Sequence, residues 1–435
     1  MPSTTSFRTR LLSVLFWSII AAAFIGPGTV TTASKAGASL GMGLLWALLF
    51  SIVATIFLQE AAARITIASG KNLGEILAAK YGAVGKSGLK WVLFLAVAFG
   101  CAAYQAGNML GALGGIGLFA SVSLKLMTVV LAVICGVFLW SGNYKRIANL
   151  LGLVVALMGI AFILAAMRSS LSPGDWGGAF IPSVTNANAL LIIGLIGTTI
   201  VPYNLFLGSG ISKGQAMSDM RWGLALAVII GGIISIAIMV VGTQVDGEFS
   251  FGAIAAAMSD KMGSQGAIVF GIGLFAAGMS SSITSPLAAA VTAQSLFDWA
   301  PTSRNFRLVW LTILGVGLLF GLLDVKPIPA IIMAQAINGA LLPIIAIFLL
   351  LTVNDRKLLP AKYVNTTGLN IVTLLIVGVT CFLGLHNVWK ALEKIFAGFG
   401  DLGSMSFWVN GGLSFLIMIW LGTQIFGSKV IVEEK

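Results

Sequence analysis

Two hydrophobic segments of this chain are interrupted by proline in their middles, at Gly26-Pro27-Gly28-Thr29 and at Val201-Pro202-Tyr203-Asn204. Proline carries no amide proton and pushes the residue before it toward extended backbone, so a helix must unwind at each of these points. Unwound backbone at membrane depth is tolerated only where it is buried in protein or lines a cavity. A pair of such breaks in corresponding positions of two halves points to the midplane binding site of a secondary transporter.

Composition agrees with a membrane setting. The 435 residues are 58% hydrophobic and only 9% charged, with mean hydropathy +1.03, whereas a soluble domain carries about 25% charged residues. At roughly 20 residues per span, helices are expected near 11–41, 43–66, 91–114, 121–141, 150–168, 188–211, 222–242, 265–292, 308–323, 331–352, 366–386 and 407–427. With the N-terminus inside, most of the 25 lysines and arginines fall on the cytoplasmic side, as the bias of cytoplasmic loops requires. The formal charge of +11 is then a positive-inside signature that also favours contact with anionic lipid, and it gives no support to a nucleic-acid partner. The basic, apolar start resembles a signal peptide but runs directly into the first break, so it is expected to be retained.

An odd number of spans per repeat forces the second repeat to enter the membrane from the opposite side. The expected organisation is a cytoplasmic segment 1–10, a five-span repeat 11–168, an inverted five-span repeat 188–352, two further spans within 366–427 and a cytoplasmic tail 428–435. The expected setting is a cell membrane with both termini cytoplasmic.

Reactive side chains are sparse in the spans. Of the 14 acidic residues only Glu60 lies in a predicted span, with Arg64 one turn later as its expected partner. Cys101, Cys135 and Cys381 are isolated and show no CxxC spacing, which indicates packing rather than a metal or disulfide site. His386, the single histidine, is expected at the outer interface of the eleventh span. No phosphate-binding Gly-x-x-x-x-Gly-Lys-Ser/Thr run occurs. ATP-driven transport and enzymatic chemistry are therefore disfavoured, no cofactor is expected, and a carrier is preferred to a channel.

Further runs carry a family resemblance. Gly26-Pro-Gly-Thr with Lys35-Ala-Gly, Leu58-Gln-Glu-Ala-Ala-Ala-Arg64, Ser69-Gly-Lys-Asn-Leu-Gly-Glu75, Val201-Pro-Tyr-Asn-Leu205, Ala276-Ala-Gly-Met-Ser-Ser-Ser-Ile-Thr284, Ala334-Gln-Ala-Ile-Asn-Gly-Ala-Leu-Leu-Pro343 and Tyr363-Val-Asn365 resemble segments of the NRAMP family of proton-coupled divalent-metal transporters. The resemblance spans most of the chain. It implies an all-α polytopic membrane protein of LeuT-like fold, an inverted repeat of five plus five spans with two extra helices. It also implies binding at the two breaks. The family's first break reads Asp-Pro-Gly-Asn, and its sixth span supplies a methionine sulfur and a neighbouring histidine; here Gly26, Thr29, Val201 and Tyr203 stand instead. Ala102 and Gln105 occupy the positions of the family's acidic pair on the third span, and Met279 that of a glutamine on the eighth.

Those replacements shape the functional expectation. A carboxylate near 4 Å contributes roughly 4 kcal/mol per unit of cation charge at an effective dielectric of about 20, so a site without one loses several decades in dication affinity. Gly26, Gly28, Thr29, Thr32, Lys35, Val201, Tyr203, Asn204 and Gln335 are the candidate substrate-binding residues, and Gln105, Asn108 and Glu60 the candidates for coupling or a proton path. Thr31 and Thr32 precede Lys35 by one turn, placing hydroxyls and ammonium on one face above a half-helix N-terminus that favours anions. The alternative for Lys35 is a snorkelling cation at the end of its half-helix. Ser280, Ser281, Ser282 and Thr284 either support a small cation or pack helices. The expected cargo is a small polar or anionic solute, with a weakly coordinated divalent metal ion of the Mn, Mg or Fe class as the alternative.

Overall fold

A computed structural model describes residues 25–81, 87–142, 144–176, 178–185, 187–395 and 403–433. Its helices are α1 (Pro27–Leu40), α2 (Leu45–Ser69), α3 (Leu73–Tyr81), α4 (Ser87–Gly117), α5 (Leu124–Ser141), α6 (Tyr144–Met167), α7 (Ala189–Thr199), α8 (Pro202–Ile211), α9 (Met217–Gly242), α10 (Phe251–Met262), α11 (Ser264–Phe297), α12 (Arg304–Leu322), α13 (Pro327–Val353), α14 (Thr367–Ile395) and α15 (Gly403–Glu433). Short 3-10 turns at Pro173–Trp176 and Ala361–Tyr363 complete the described helical elements. Eleven described segments are long and apolar enough to cross a membrane, with the broken Ala189–Ile211 segment counted as one. The expected segment 1–10 and the first part of the opening span, 11–24, lie outside the described residues.

The fold is the all-α, LeuT-like inverted repeat, with α14 and α15 added after the second repeat. Both breaks fall at their prolines. Gly26 is extended (φ −94°, ψ 178°) before Pro27 opens α1, and Val201 (φ −78°, ψ 116°) precedes Pro202 at the start of α8. This is the conformation a following proline imposes, and a proline in the first turn removes no intrahelical hydrogen bond.

Glycines let backbones meet where the halves interlock. Gly37 lies against Met239 and Gly242 against Ser34, closing α1 on α9; Gly197 lies against Gln335 and Gly339 against Ile193, closing α7 on α13. Without a hydrophobic force between helices in lipid, this close approach supplies the packing. Gly278 likewise sits against the α4 backbone at Asn108 and Ala112, which makes α4 a wall of the bundle's centre.

Several boundaries differ from expectation. α3 and α10 are short helices in stretches expected as loops, and α4, α11 and α14 run several residues past the stretches read for their spans. α3 starts with a reciprocal cap: Asn72 Oδ1 accepts from the Glu75 amide at 3.0 Å, and Glu75 Oε2 from the Asn72 amide at 2.9 Å. α15 stays helical through Glu433, so the expected tail from 428 continues the last helix beyond its apolar segment, which ends at Phe426. His386, expected to be solvated near the end of its span, is instead buried. It stacks on Phe382 with ring centroids 6.2 Å apart.

Candidate functional site

A small polar cavity lies where the two breaks meet, lined by Gly26, Gly28, Tyr104, Asn108, Thr198, Val201, Tyr203, Ser281 and Gln335. α1 and α8 begin at it, and neither N-cap, Gly26 or Val201, supplies a side-chain cap. First-turn amides and the positive ends of two helices are thereby left facing the same space. α7 ends at it with carbonyls exposed by the break.

Neighbouring side chains hold those carbonyls. The Tyr104 hydroxyl donates to Gly197 O, and Thr55 Oγ1 donates to Thr199 O at 3.3 Å. The two breaks are also tied to each other: Thr29 Oγ1 and Thr198 Oγ1 are 2.8 Å apart. Below the cavity, Gln59 Nε2 donates to Asn204 O at 2.9 Å. Tyr104 and Tyr203 meet edge to face, ring centroids 5.7 Å apart at 89°.

Other polar atoms here have no protein partner. Gln335 Oε1 and Asn108 Nδ2 are buried and unpaired at the cavity wall. Asn204 Nδ2, Gln59 Oε1 and both amide atoms of Gln105 are unpaired as well. An unsatisfied buried polar atom costs about 1–3 kcal/mol, and two of these, on Gln335 and Asn108, belong to residues that line the cavity. Its lining contains amide, hydroxyl, phenol and backbone groups and no carboxylate, imidazole or thiol. Among the described residues no cluster of three or more His, Cys, Asp or Glu could hold a metal ion.

The structure brings Gly26, Gly28, Val201, Tyr203, Gln335 and Asn108 together at this cavity. Thr29 joins through its bond to Thr198. Asn204 is one position past the lining and buried. Thr32 and Lys35 stand apart from the lining: Thr32 faces Gly194, and Lys35 Nζ sits 5.0 Å from the Phe249 ring centroid. The reason is geometric. Eight residues of helix at 1.5 Å rise carry Lys35 about 12 Å from the break, too far for its face to look into the cavity. Gln105 packs against Gly317 of α12 instead.

Glu60 lies at one end of the bundle in a paired network. Its carboxylate meets Arg64 Nε at 3.0 Å and Arg221 Nη2 at 2.9 Å. Arg64 also donates to Tyr363 O and to Asn365 Oδ1, each at 2.6 Å. Tyr104 and Thr198 were missed by the sequence reading, and Ser281 was weighed only as a packing or cation-supporting residue. Spacing alone held the signal for Tyr104, which precedes the candidate Asn108 by one helical turn.

An inverted repeat with two half-helices abutting a buried polar cavity defines a secondary membrane transporter, a class distinct from enzymes. The chain belongs to the Nramp family, "Natural resistance-associated macrophage protein-like", whose model matches residues 18–390. Solved structures share the fold across the whole chain. A mutant of the Eremococcus coleocola manganese transporter matches with TM-score 0.74 and 16% identity, covering 100% of this chain and 97% of that one. The same transporter in complex with an aromatic bis-isothiourea substituted compound matches with TM-score 0.73 and 17% identity over the same shares. Mhp1, a nucleobase-cation-symport-1 family transporter in a closed conformation with bromovinylhydantoin bound, matches with TM-score 0.57 and 18% identity, covering 96% and 93% of the two chains.

Proposed function

We propose that this Nramp-family transporter carries a small polar or anionic solute by alternating access, bound between Gly26–Thr29 and Val201–Asn204 and against Gln335. One observation carries the reading: a cavity at the helix breaks with unpaired Gln335 Oε1 and Asn108 Nδ2 and no negatively charged side chain in its lining. A solute with both donor and acceptor groups satisfies the two amides at once. Two uncapped helix N-termini favour an acceptor or anionic end, each by about 0.3–1 kcal/mol. The size of the space limits the solute to a few heavy atoms.

Family membership and the likeness to a manganese transporter favour a second reading, a divalent metal ion as cargo. In that case Gln335 Oε1, the hydroxyls of Thr29 and Ser281 and backbone carbonyls would hold a largely hydrated ion. Hard dications select carboxylate-rich oxygen cages, so affinity in a neutral site is weak. A cell-membrane location with both termini cytoplasmic belongs to this reading; the positive-inside bias supports the orientation, which puts the Glu60 network on the cytoplasmic side. Asn108 then belongs to the solute site, while Glu60 and Gln105 are coupling candidates away from it.

Isothermal titration of the purified protein with Mn²⁺, Mg²⁺, small carboxylates and small amino acids tests the choice. Binding of an organic solute that weakens on Gln335→Ala is expected. Micromolar Mn²⁺ binding that disappears in Thr29→Ala would overturn the solute reading in favour of the metal one. Uphill flux into liposomes against an opposing gradient distinguishes the carrier from a channel.

A further inference from the structure

Tyr104 sits on α4, a helix without a break, yet its side chain serves both faces of the site. The hydroxyl donates to Gly197 O in the last turn of α7, where the break leaves carbonyls without intrahelical partners. The ring lies edge-on to Tyr203, which belongs to the first turn of α8. Tyr104 therefore touches both halves of the broken sixth span and lines the cavity between them. It is buried (5% exposed), as is Tyr203, and the two rings pack against each other.

Within four residues of the break, the other side-chain ties on this span come from α1 and α2: Thr29 to Thr198, Thr55 to Thr199, and Gln59 to Asn204. Tyr104 alone among these four reaches it from α4, on the far wall. α4 is held in turn by close contact with α11 at Gly278, by the Ser285 hydroxyl on Cys101 O at 2.9 Å, and by the Asn338 amide on Gly100 O at 2.9 Å. A side chain fixed by a packed helix at its root and by a carbonyl and a second ring at its tip gives the cavity one of its rigid dimensions.

We infer that Tyr104 is a specificity-determining residue: with Tyr203 it forms an aromatic wall that sets the largest solute the cavity admits, while its hydroxyl holds the α7 end in register with α8. This deepens the solute reading above and rests on the same cavity. It assigns the size limit to a residue that carries no charge and contributes no unpaired atom.

The test measures cavity size without needing the solute. In a full-length background with Cys101, Cys135 and Cys381 replaced by alanine, cysteine is introduced at Val201 and, in a separate protein, at Ser281; each is treated with methyl and with benzyl methanethiosulfonate. With Tyr104 present, the methyl reagent labels and the benzyl reagent does not. Tyr104→Ala is expected to let the benzyl reagent label at a rate within tenfold of the methyl one. Tyr104→Phe keeps the ring and so keeps the size limit, but deuterium uptake at residues 198–204 rises about fivefold, the factor expected from one neutral hydrogen bond. If benzyl labelling stays excluded in Tyr104→Ala at both cysteine positions, or uptake at 198–204 is unmoved in Tyr104→Phe, the inference is overturned. Should the solute panel fail to bind while the labelling pattern holds, the solute class is rejected and the role of Tyr104 is supported. If Tyr104→Ala fails to elute as a folded species, Tyr104→Phe decides on exchange and on retention of the methyl-only limit.

Discussion

Arg64 and Gln335 are both almost wholly buried, at 3% and 2% exposed, but their surroundings are opposite. Arg64 has a carboxylate, a backbone carbonyl and an amide oxygen for its guanidinium. Gln335 leaves its acceptor oxygen without a protein partner. The same contrast separates the two polar regions as wholes. At the Glu60 end, charges and amides are linked from α2 to α9, to the 361–366 stretch and on to α14: Asn365 donates to Asn370 Oδ1 at 2.9 Å, and Asn354 and Asn370 exchange amide bonds at 2.8 Å each. At the helix breaks, polar atoms surround a cavity and stay partly unsatisfied. A saturated network holds structure, whereas an unsaturated one is a place for something else to bind.

The contrast breaks if the two regions respond alike to substitution. The largest effect is expected from Arg64→Met. Glu60 keeps Arg221, but the buried acceptors Asn365 Oδ1 and Tyr363 O lose their charged donor, at about 1–3 kcal/mol each. A fall in the thermal unfolding transition of purified protein, with loss of monodisperse material, is the expected result. A transition unchanged within error would mean that this end is not structurally important.

Gln335→Leu should do the reverse. It replaces an amide with an unpaired oxygen by an apolar group of similar size, so stability is expected to hold or to rise by about 1 kcal/mol. Solute binding by calorimetry should fall tenfold or more, about 1.4 kcal/mol. A strong loss of stability with binding intact would assign Gln335 to packing and erase the distinction. Thr29→Val comes next. It removes the hydroxyl pair joining the two breaks, a loss of about 1 kcal/mol, read as a smaller downward shift of the same transition.

How far the sequence revealed these regions follows from what each depends on. Proline dictates its own break, so Pro27 and Pro202 mark the cavity in the sequence, and with them Gly26, Gly28, Val201 and Tyr203. The i, i+4 spacing of Glu60 and Arg64 foretold their pair but not Arg221, which arrives from α9, 161 residues away. Helical spacing also grouped Thr31, Thr32 and Lys35 correctly on one helix, yet it says nothing of how far along the axis the cavity extends. Thr198 stands three residues before Val201 on the broken span itself, and Tyr104 reaches the site by the packing of α4, which its one-turn spacing from Asn108 only hints at. α3 and α10 escaped because a helix of 9 or 12 residues with mixed polarity gives neither a membrane-length apolar run nor a long periodic pattern.

The smallest effect sharpens the comparison at the fringe of the paired region, where Lys80 Nζ meets Asp355 Oδ2 at 2.9 Å. Partial burial alone would raise the Asp355 pKa, but the hydrogen bond and charge of Lys80, together with the Lys357 amide and ammonium, outweigh it and hold the carboxyl below its ordinary value of 3.8. A carboxyl whose folded pKa lies below its unfolded one contributes stability that is fully present above the unfolded value. That contribution is lost as pH falls through the folded value. The pair is partly exposed, with side chains at 20% and 23%, so about 0.2–1 kcal/mol is involved. Between pH 7 and pH 5 the thermal transitions of the parent and Asp355→Asn should therefore differ by a constant small amount, and the gap should close only below about pH 4. Closure already at pH 6 would show that Lys80 does not engage Asp355 in the folded protein, and the paired region would then end at Asn354.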